Sequence, residues 1–157
     1  MHRIAATAVV AIAAALAALP AVAGPVPDPP VYFGATMQQR SYASCTPANA
    51  CSVAFSPVAA GHQMMVTDVS CDAQVFSSTF YVVQSLLRLT SAGGGSSGRA
   101  AYLTPIQMAS TAGIKHYRLS EPVKLVVNAG ETPQLSIALN GTASTVMLDC
   151  TLTASVR

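Results

Sequence analysis

Two runs of alternating residues near the C-terminus flank the dipeptide Asn140-Gly141. Apolar side chains recur at every second position on both sides: Leu135, Ile137 and Leu139 before it, and Val146, Leu148, Cys150 and Leu152 after it. Strict alternation is typical of half-buried strands, because successive side chains of a strand point to opposite faces. Asn-Gly favours a type I′ turn, whose two central residues both need a positive φ. The pattern therefore predicts a β-hairpin that turns at Asn140-Gly141, with one apolar face toward the core.

Shorter strand-like segments fill the rest of the chain at roughly ten-residue spacing. They lie at 52–56, 63–71, 79–90, 99–104, 114–119 and 123–128. The glycine- and serine-rich run 93–98 predicts a flexible loop, and residues 106–110 predict one short helical turn. About eight short strands without a convincing helix predict an all-β fold. We expect a two-sheet antiparallel β-sandwich with jelly-roll or another Greek-key topology.

The N-terminus has the pattern of a secretory signal peptide. Arg3 precedes an apolar run at 4–19, Pro20 ends that run, and Ala21-Val22-Ala23 forms a small-x-small cleavage site. The run is shorter than the roughly 20 residues that a membrane helix needs. We predict a signal peptide at 1–23 that is cleaved after Ala23, and a bacterial protein that is periplasmic or secreted. We expect no membrane span after signal cleavage.

The segment that follows the predicted cleavage site is rich in proline. Residues 24–30 read Gly-Pro-Val-Pro-Asp-Pro-Pro, and proline disfavours both helices and central strands. This composition predicts an extended leader at 24–30. We expect residues 31–157 to form a single β-sandwich domain.

Charged residues make up 9% of the chain, against about 25% in a typical soluble domain. Nucleic-acid binding needs several Lys or Arg side chains along one face, and the sequence has no such cluster. We therefore predict no nucleic-acid partner, and binding to an anionic membrane by charge is disfavoured for the same reason. The small number of carboxylates also disfavours acid–base catalysis.

Four cysteines follow the predicted signal peptide, and an even number in an exported chain predicts two disulfides. Three connectivities are possible. We prefer Cys45 with Cys51, because the Pro and Asn between them favour a tight turn. Cys71 with Cys150 would then tie an early strand to the last one. A metal site is the alternative, but the thiols have no C-x-x-C spacing and no nearby pair of histidines.

The segment around His62 and Met64 contains donors suited to copper. Imidazole and thioether both bind copper, and the soft thioether prefers Cu(I). In a strand His62 and Met64 would point to the same face. Further donors would have to come from Met37, Met108 or His116. The alternative is a histidine in a turn and methionines that fill the core, which the absence of a second ligand pair favours. We therefore expect no cofactor, with copper as the alternative.

Groups suited to covalent or acid–base catalysis are few and scattered. The sequence has no G-x-S-x-G nucleophile elbow. Bases or orienting carboxylates for a serine nucleophile would have to come from His62, His116, Asp68 and Asp72. No two carboxylates stand out as a glycosidase pair. These observations make an enzyme the less favoured class.

The first hypothesis is therefore an exported, non-catalytic β-sandwich that acts by binding. It would have an envelope accessory or inhibitor-type role, with a protein or cell-surface partner. Loops such as 57–62 or 91–98 would carry recognition, since loops on a rigid scaffold often do so. The alternatives are a periplasmic copper-binding protein that uses His62 and Met64, and a small secreted hydrolase.

Overall fold

A computed structural model describes residues 27–157 as ten β-strands in two antiparallel sheets packed against each other. The strands are β1 (Val31–Phe33), β2 (Thr36–Cys45), β3 (Ala48–Ala54), β4 (Met64–Phe76), β5 (Val82–Thr90), β6 (Ser96–Tyr102), β7 (Ile106–Thr111), β8 (Ile114–Val127), β9 (Thr132–Ala143) and β10 (Val146–Val156). The predicted two-sheet antiparallel β-sandwich is confirmed. The predicted signal peptide and the leader up to residue 26 lie outside the described residues.

The larger sheet has the strand order β1-β2-β10-β4-β8-β7, and the smaller has the order β3-β9-β5-β6. Three pairs of consecutive strands, β1–β2, β5–β6 and β7–β8, are neighbours in one sheet. Every other connection between consecutive strands passes from one sheet to the other. The two inner faces enclose an apolar core in which Phe55, Leu87, Leu119 and Leu148 are fully buried.

The two disulfides join Cys45 to Cys51 and Cys71 to Cys150, the pairs preferred from the sequence. Cys45 ends β2 in the larger sheet and Cys51 lies in β3 of the smaller, so the short-loop disulfide joins the two sheets. Cys71 and Cys150 are directly opposite each other on the neighbouring strands β4 and β10. Two disulfides indicate an oxidising, extracellular environment.

The predicted hairpin at Asn140-Gly141 is wrong. β9 continues through both residues to Ala143, and β9 and β10 belong to different sheets. Gly141 does not have a positive φ, and Asn140 pairs with Tyr81: its backbone N–H donates to the Tyr81 carbonyl at 3.1 Å, and its Oδ1 accepts the Tyr81 N–H at 2.8 Å. The alternation itself is confirmed, because the apolar positions of both strands face the core.

Three other sequence-based assignments also differ from the structure. The predicted loop 93–98 ends early, because β6 begins at Ser96, where it pairs with Thr90 of β5. Residues 106–110 form the edge strand β7 rather than a helical turn, and β7 has no buried face to show alternation. The segments 114–119 and 123–128 belong to one strand, β8, which continues through Pro122. β7 pairs with residues 114–118 alone, so at Pro122 the strand β8 pairs with β4 on one side and has no β7 partner on the other.

A β-bulge in β4 explains why residues 63–71 show no clear period. The register shifts between Val66 and Asp68 against both neighbouring strands. Because one extra residue is inserted there, Met64 and Val66 before it face the core together with Val69 and Cys71 after it. Met64 is consequently an inward-facing residue at the start of β4.

Candidate functional site

An apolar pocket of about 310 Å³ opens at the end of the sandwich where β2 and β4 begin and β10 ends. Inward side chains at these strand ends form part of its lining. The rest comes from residues 56–62, which follow β3, and from Pro30 and Tyr32 beside β1. Within the described part of the chain, no Asp, Glu, Lys or Arg borders this pocket. A pocket of this size and apolar character has the properties of a small-ligand site.

Two methionines from different strands border the pocket. Met37 on β2 is opposite Ala154 of β10, and Met64 on β4 is opposite Val156 of β10. Both methionines are buried, with 5% and 4% of their surface exposed. They lie on the two strands that flank β10, and their partners on β10 are two residues apart, so their Cα atoms are roughly 12 Å apart. Both side chains point to the same inward face.

His62 also borders the pocket, from the turn that precedes β4. Its backbone N–H donates to the carbonyl of Ala59 at 3.2 Å, which closes the turn. The next residue, Gln63, exchanges two backbone hydrogen bonds with Arg157, at 3.1 and 2.8 Å. His62 is exposed, whereas Met37 and Met64 are buried. The imidazole therefore lies at the mouth of the pocket, and the two thioethers lie deeper.

Gln39 organises the same end of the molecule through a set of short hydrogen bonds. Its side chain is buried in β2, and its Nε2 donates to the Asp28 carbonyl at 2.7 Å and to Ser56 Oγ at 2.6 Å. Its Oε1 accepts the Ser56 N–H at 2.9 Å. Gln39 thereby holds Asp28, which precedes β1, and Ser56, which follows β3, in fixed positions beside the pocket.

The other two soft donors considered from the sequence lie elsewhere. Met108 and His116 border a separate cleft formed by β4, β7 and β8. Met108 is exposed, and Asp72 and Arg118 in the same cleft form an ion pair at 3.6 Å. The structure therefore brings His62 and Met64 together with Met37, and it does not bring Met108 or His116 to them.

The carboxylates of the described residues are spread over the surface, and most of them have structural partners. Asp149 is bonded to Arg40, and Glu131 is bonded to Arg99. Glu121 accepts the N–H of Thr104 at 2.8 Å. In residues 27–157, no three His, Cys, Asp or Glu side chains are grouped so that they could hold a metal ion. Methionine sulfur is a further possible metal donor, and Met37 and Met64 border the pocket together with His62.

Glu131 is the most enclosed member of the three ion pairs, with 14% of its side chain exposed. Burial raises its pKa, but the Asn128 N–H and the Arg99 guanidinium, which both bond to the carboxylate, outweigh burial and lower the pKa below its ordinary value. A general acid at neutral pH needs a raised pKa instead. Arg99 also donates to the Val126 carbonyl at 2.7 Å, so this pair fastens β6 of one sheet to β8 of the other.

Sequence reasoning missed the exposed edge strand β1. Val31, Tyr32 and Phe33 are all more than half exposed, at 54%, 59% and 65%. Tyr32 borders the pocket, whereas Val31 and Phe33 lie in a second cleft on the opposite face of the sheet. Three consecutive large apolar residues between Pro30 and Gly34 were the available signal, but so short a run shows no period.

No protein-family model matches the chain, and no curated protein matches it significantly. Among residues 27–157 we find no helix with the length and hydropathy that a membrane crossing requires.

Proposed function

We propose that this chain is an exported, non-catalytic protein that acts by binding, and that it binds at the end of the sandwich that carries the pocket. One observation carries the proposal: the apolar pocket and the exposed apolar strand β1 occupy the same end, and Tyr32 belongs to both. The signal-like N-terminus and the two disulfides support a periplasmic or secreted location.

The surroundings of the pocket favour a binding role. Residues 57–62 form one of the loops expected to carry recognition, and Gln39 anchors that segment through Ser56. A loop held on a rigid sandwich meets its ligand with little loss of conformational freedom. Gln39 and Ser56, which both border the pocket, are engaged in holding this shape, which suits a binding site better than a reaction centre.

The partner that fits β1 is a protein segment in an extended conformation. β1 is the edge of the six-stranded sheet, and in the described structure it pairs only with β2. The free backbone groups of an edge strand can pair with another strand, and aromatic residues are enriched at interfaces. We propose a protein at the cell surface as the partner, with Tyr32 and Phe33 as its main contacts.

Photo-crosslinking from position 32 tests this proposal. The full chain, produced with its own export signal, would carry p-benzoylphenylalanine in place of Tyr32 and be irradiated with an envelope fraction of its source cells. The control carries the same group in place of Tyr42, which is exposed on the outer face of β2. A saturable cross-link to one protein from position 32 and not from position 42 supports the proposal. Equal cross-linking from both positions, or none from position 32, overturns it.

A further inference from the structure

We propose that Met37, His62 and Met64 bind one Cu(I) ion in this pocket. The inference rests on the proposed function, because it assigns a ligand class to the same binding site. Its physical basis is the donor set: two thioether sulfurs and one imidazole nitrogen border one cavity. Soft thioether ligands select Cu(I), and imidazole binds copper readily.

The position of the donors in the fold allows them to share an ion. Met37 and Met64 flank β10 and point to the same side of the sheet. On the intervening strand β10, Ala154 lies opposite Met37 and Val156 lies opposite Met64, and Val156 also borders the pocket. Methionine is unbranched with three rotatable bonds, so each sulfur can adjust its position toward a common centre. His62 completes the set from the mouth of the pocket.

The charge around the pocket selects among metal ions. No Asp, Glu, Lys or Arg among the described residues borders it. Mg²⁺ and Ca²⁺ need carboxylate or carbonyl oxygens, which this donor set does not supply. Without a compensating carboxylate, a monovalent ion costs less to transfer into an apolar pocket than a divalent ion, since the cost rises with charge. Both the donors and the missing negative charge therefore favour Cu(I) over Cu(II) or Zn²⁺.

Ordinary core filling explains the burial of the two methionines but not their arrangement. Adaptable methionines commonly occupy irregular gaps in a core. Here both border an open cavity together with a histidine from a separate turn. A second cleft of the same molecule differs from this pocket. Met108 and His116 border that cleft, but the charged side chains of Asp72 and Arg118 border it as well.

An anaerobic titration tests the site. The purified full-chain product would compete for Cu(I) with a chromophoric chelator, and we expect one ion bound per chain. Met37→Leu, Met64→Leu and His62→Ala should each weaken the binding of Cu(I) at least tenfold. Met108→Leu and His116→Ala are matched controls and should leave the affinity unchanged. X-ray absorption of the Cu(I)-loaded protein should show two sulfur neighbours, and Met64→Leu should remove one of them.

Several outcomes would overturn the metal site. They are the absence of saturable Cu(I) binding, equal losses in the control variants, and tighter binding of Zn²⁺ than of Cu(I). Near-ultraviolet circular dichroism of each variant separates loss of the site from loss of the fold. Copper binding without a cross-link from position 32 would retain the metal site and overturn the protein partner, and the converse result would overturn only the metal site.

Discussion

A Cβ atom added to Gly141 would lie 2.3 Å from Cε1 of Phe80. The ring of Phe80 covers the backbone of β9 at this point, so glycine is needed for close approach rather than for a positive φ. Asn140 beside it bonds to Tyr81 and aligns the two segments. The most turn-like dipeptide in the sequence is thus part of a strand, and a residue 61 positions earlier in the chain explains its glycine.

Replacing Gly141 with alanine should destabilise the protein by about 1–3 kcal/mol, the usual cost of overpacking. Urea unfolding of Gly141→Ala measures this cost. Gly93→Ala is the matched control, because its added Cβ would lie 4.0 Å from the nearest atom. In Phe80→Ala the added methyl group has space, so Gly141→Ala should cost much less in that background. Equal costs in both backgrounds would contradict the proposed contact.

Removing the Cys71–Cys150 disulfide should cost more stability than removing Cys45–Cys51. The sequence separations are 79 and 6 residues. Loop-closure entropy in the unfolded chain then predicts losses of about 4.5 and about 2 kcal/mol. Urea unfolding of the two paired Cys→Ala variants gives the comparison. If the losses were equal, the link between the sheets made by Cys45–Cys51 would have a native-state role that chain entropy does not include.

Stability should fall on acidification through Glu131 in particular. A carboxyl whose pKa is lowered in the folded state favours folding above its unfolded pKa, whose ordinary value is 4.5. That contribution is lost as the pH falls through the folded-state pKa. Glu131→Gln should therefore lower the free energy of unfolding at pH 7 and reduce its decrease between pH 5 and pH 3, values chosen to bracket the usual carboxyl range.

Asp149 offers the comparison for this acid effect. Its pKa is also lowered, first by the hydrogen bond from Arg40, with burial opposing the shift. The Arg40 side chain is largely exposed, however, and exposed ion pairs contribute little to stability. Asp149→Asn should change the acid dependence less than Glu131→Gln, as measured by urea midpoints at each pH. The reverse order would contradict the role assigned to the Glu131–Arg99 pair, which joins the two sheets.

Replacing Gln39 with alanine should be among the more damaging polar substitutions. Gln39 is buried and makes three hydrogen bonds, to Asp28 and Ser56. Removing it leaves the Ser56 N–H without this acceptor and opens a gap, at a cost of about 1–3 kcal/mol. Gln38→Ala is the control, because Gln38 points outward from the same strand. Faster proteolysis near residues 27–30 and 56–62 in Gln39→Ala would show that Gln39 anchors them.

Local pattern was sufficient to predict the class of fold. Alternation at 135–139 and 146–152 and the even number of cysteines predicted strands, an antiparallel sandwich and two disulfides. Period and turn chemistry are properties of neighbouring residues, so the sequence states them directly. β2 was missed because its inward positions include Gln39 and Ser41, which are polar and buried. Hydrogen bonds to Asp28, Ser56 and Ala54 satisfy these side chains.

The sequence by itself determined that His62 and Met64 lie close along the chain and carry soft donor atoms. Only the tertiary structure decided that Met64 points inward, because the bulge between Val66 and Asp68 sets its face. It also brought Met37 to the same pocket, from two strands away, and placed Met108 and His116 elsewhere. Strand order, register and bulges arise from pairing between distant segments, and no local period records such pairing.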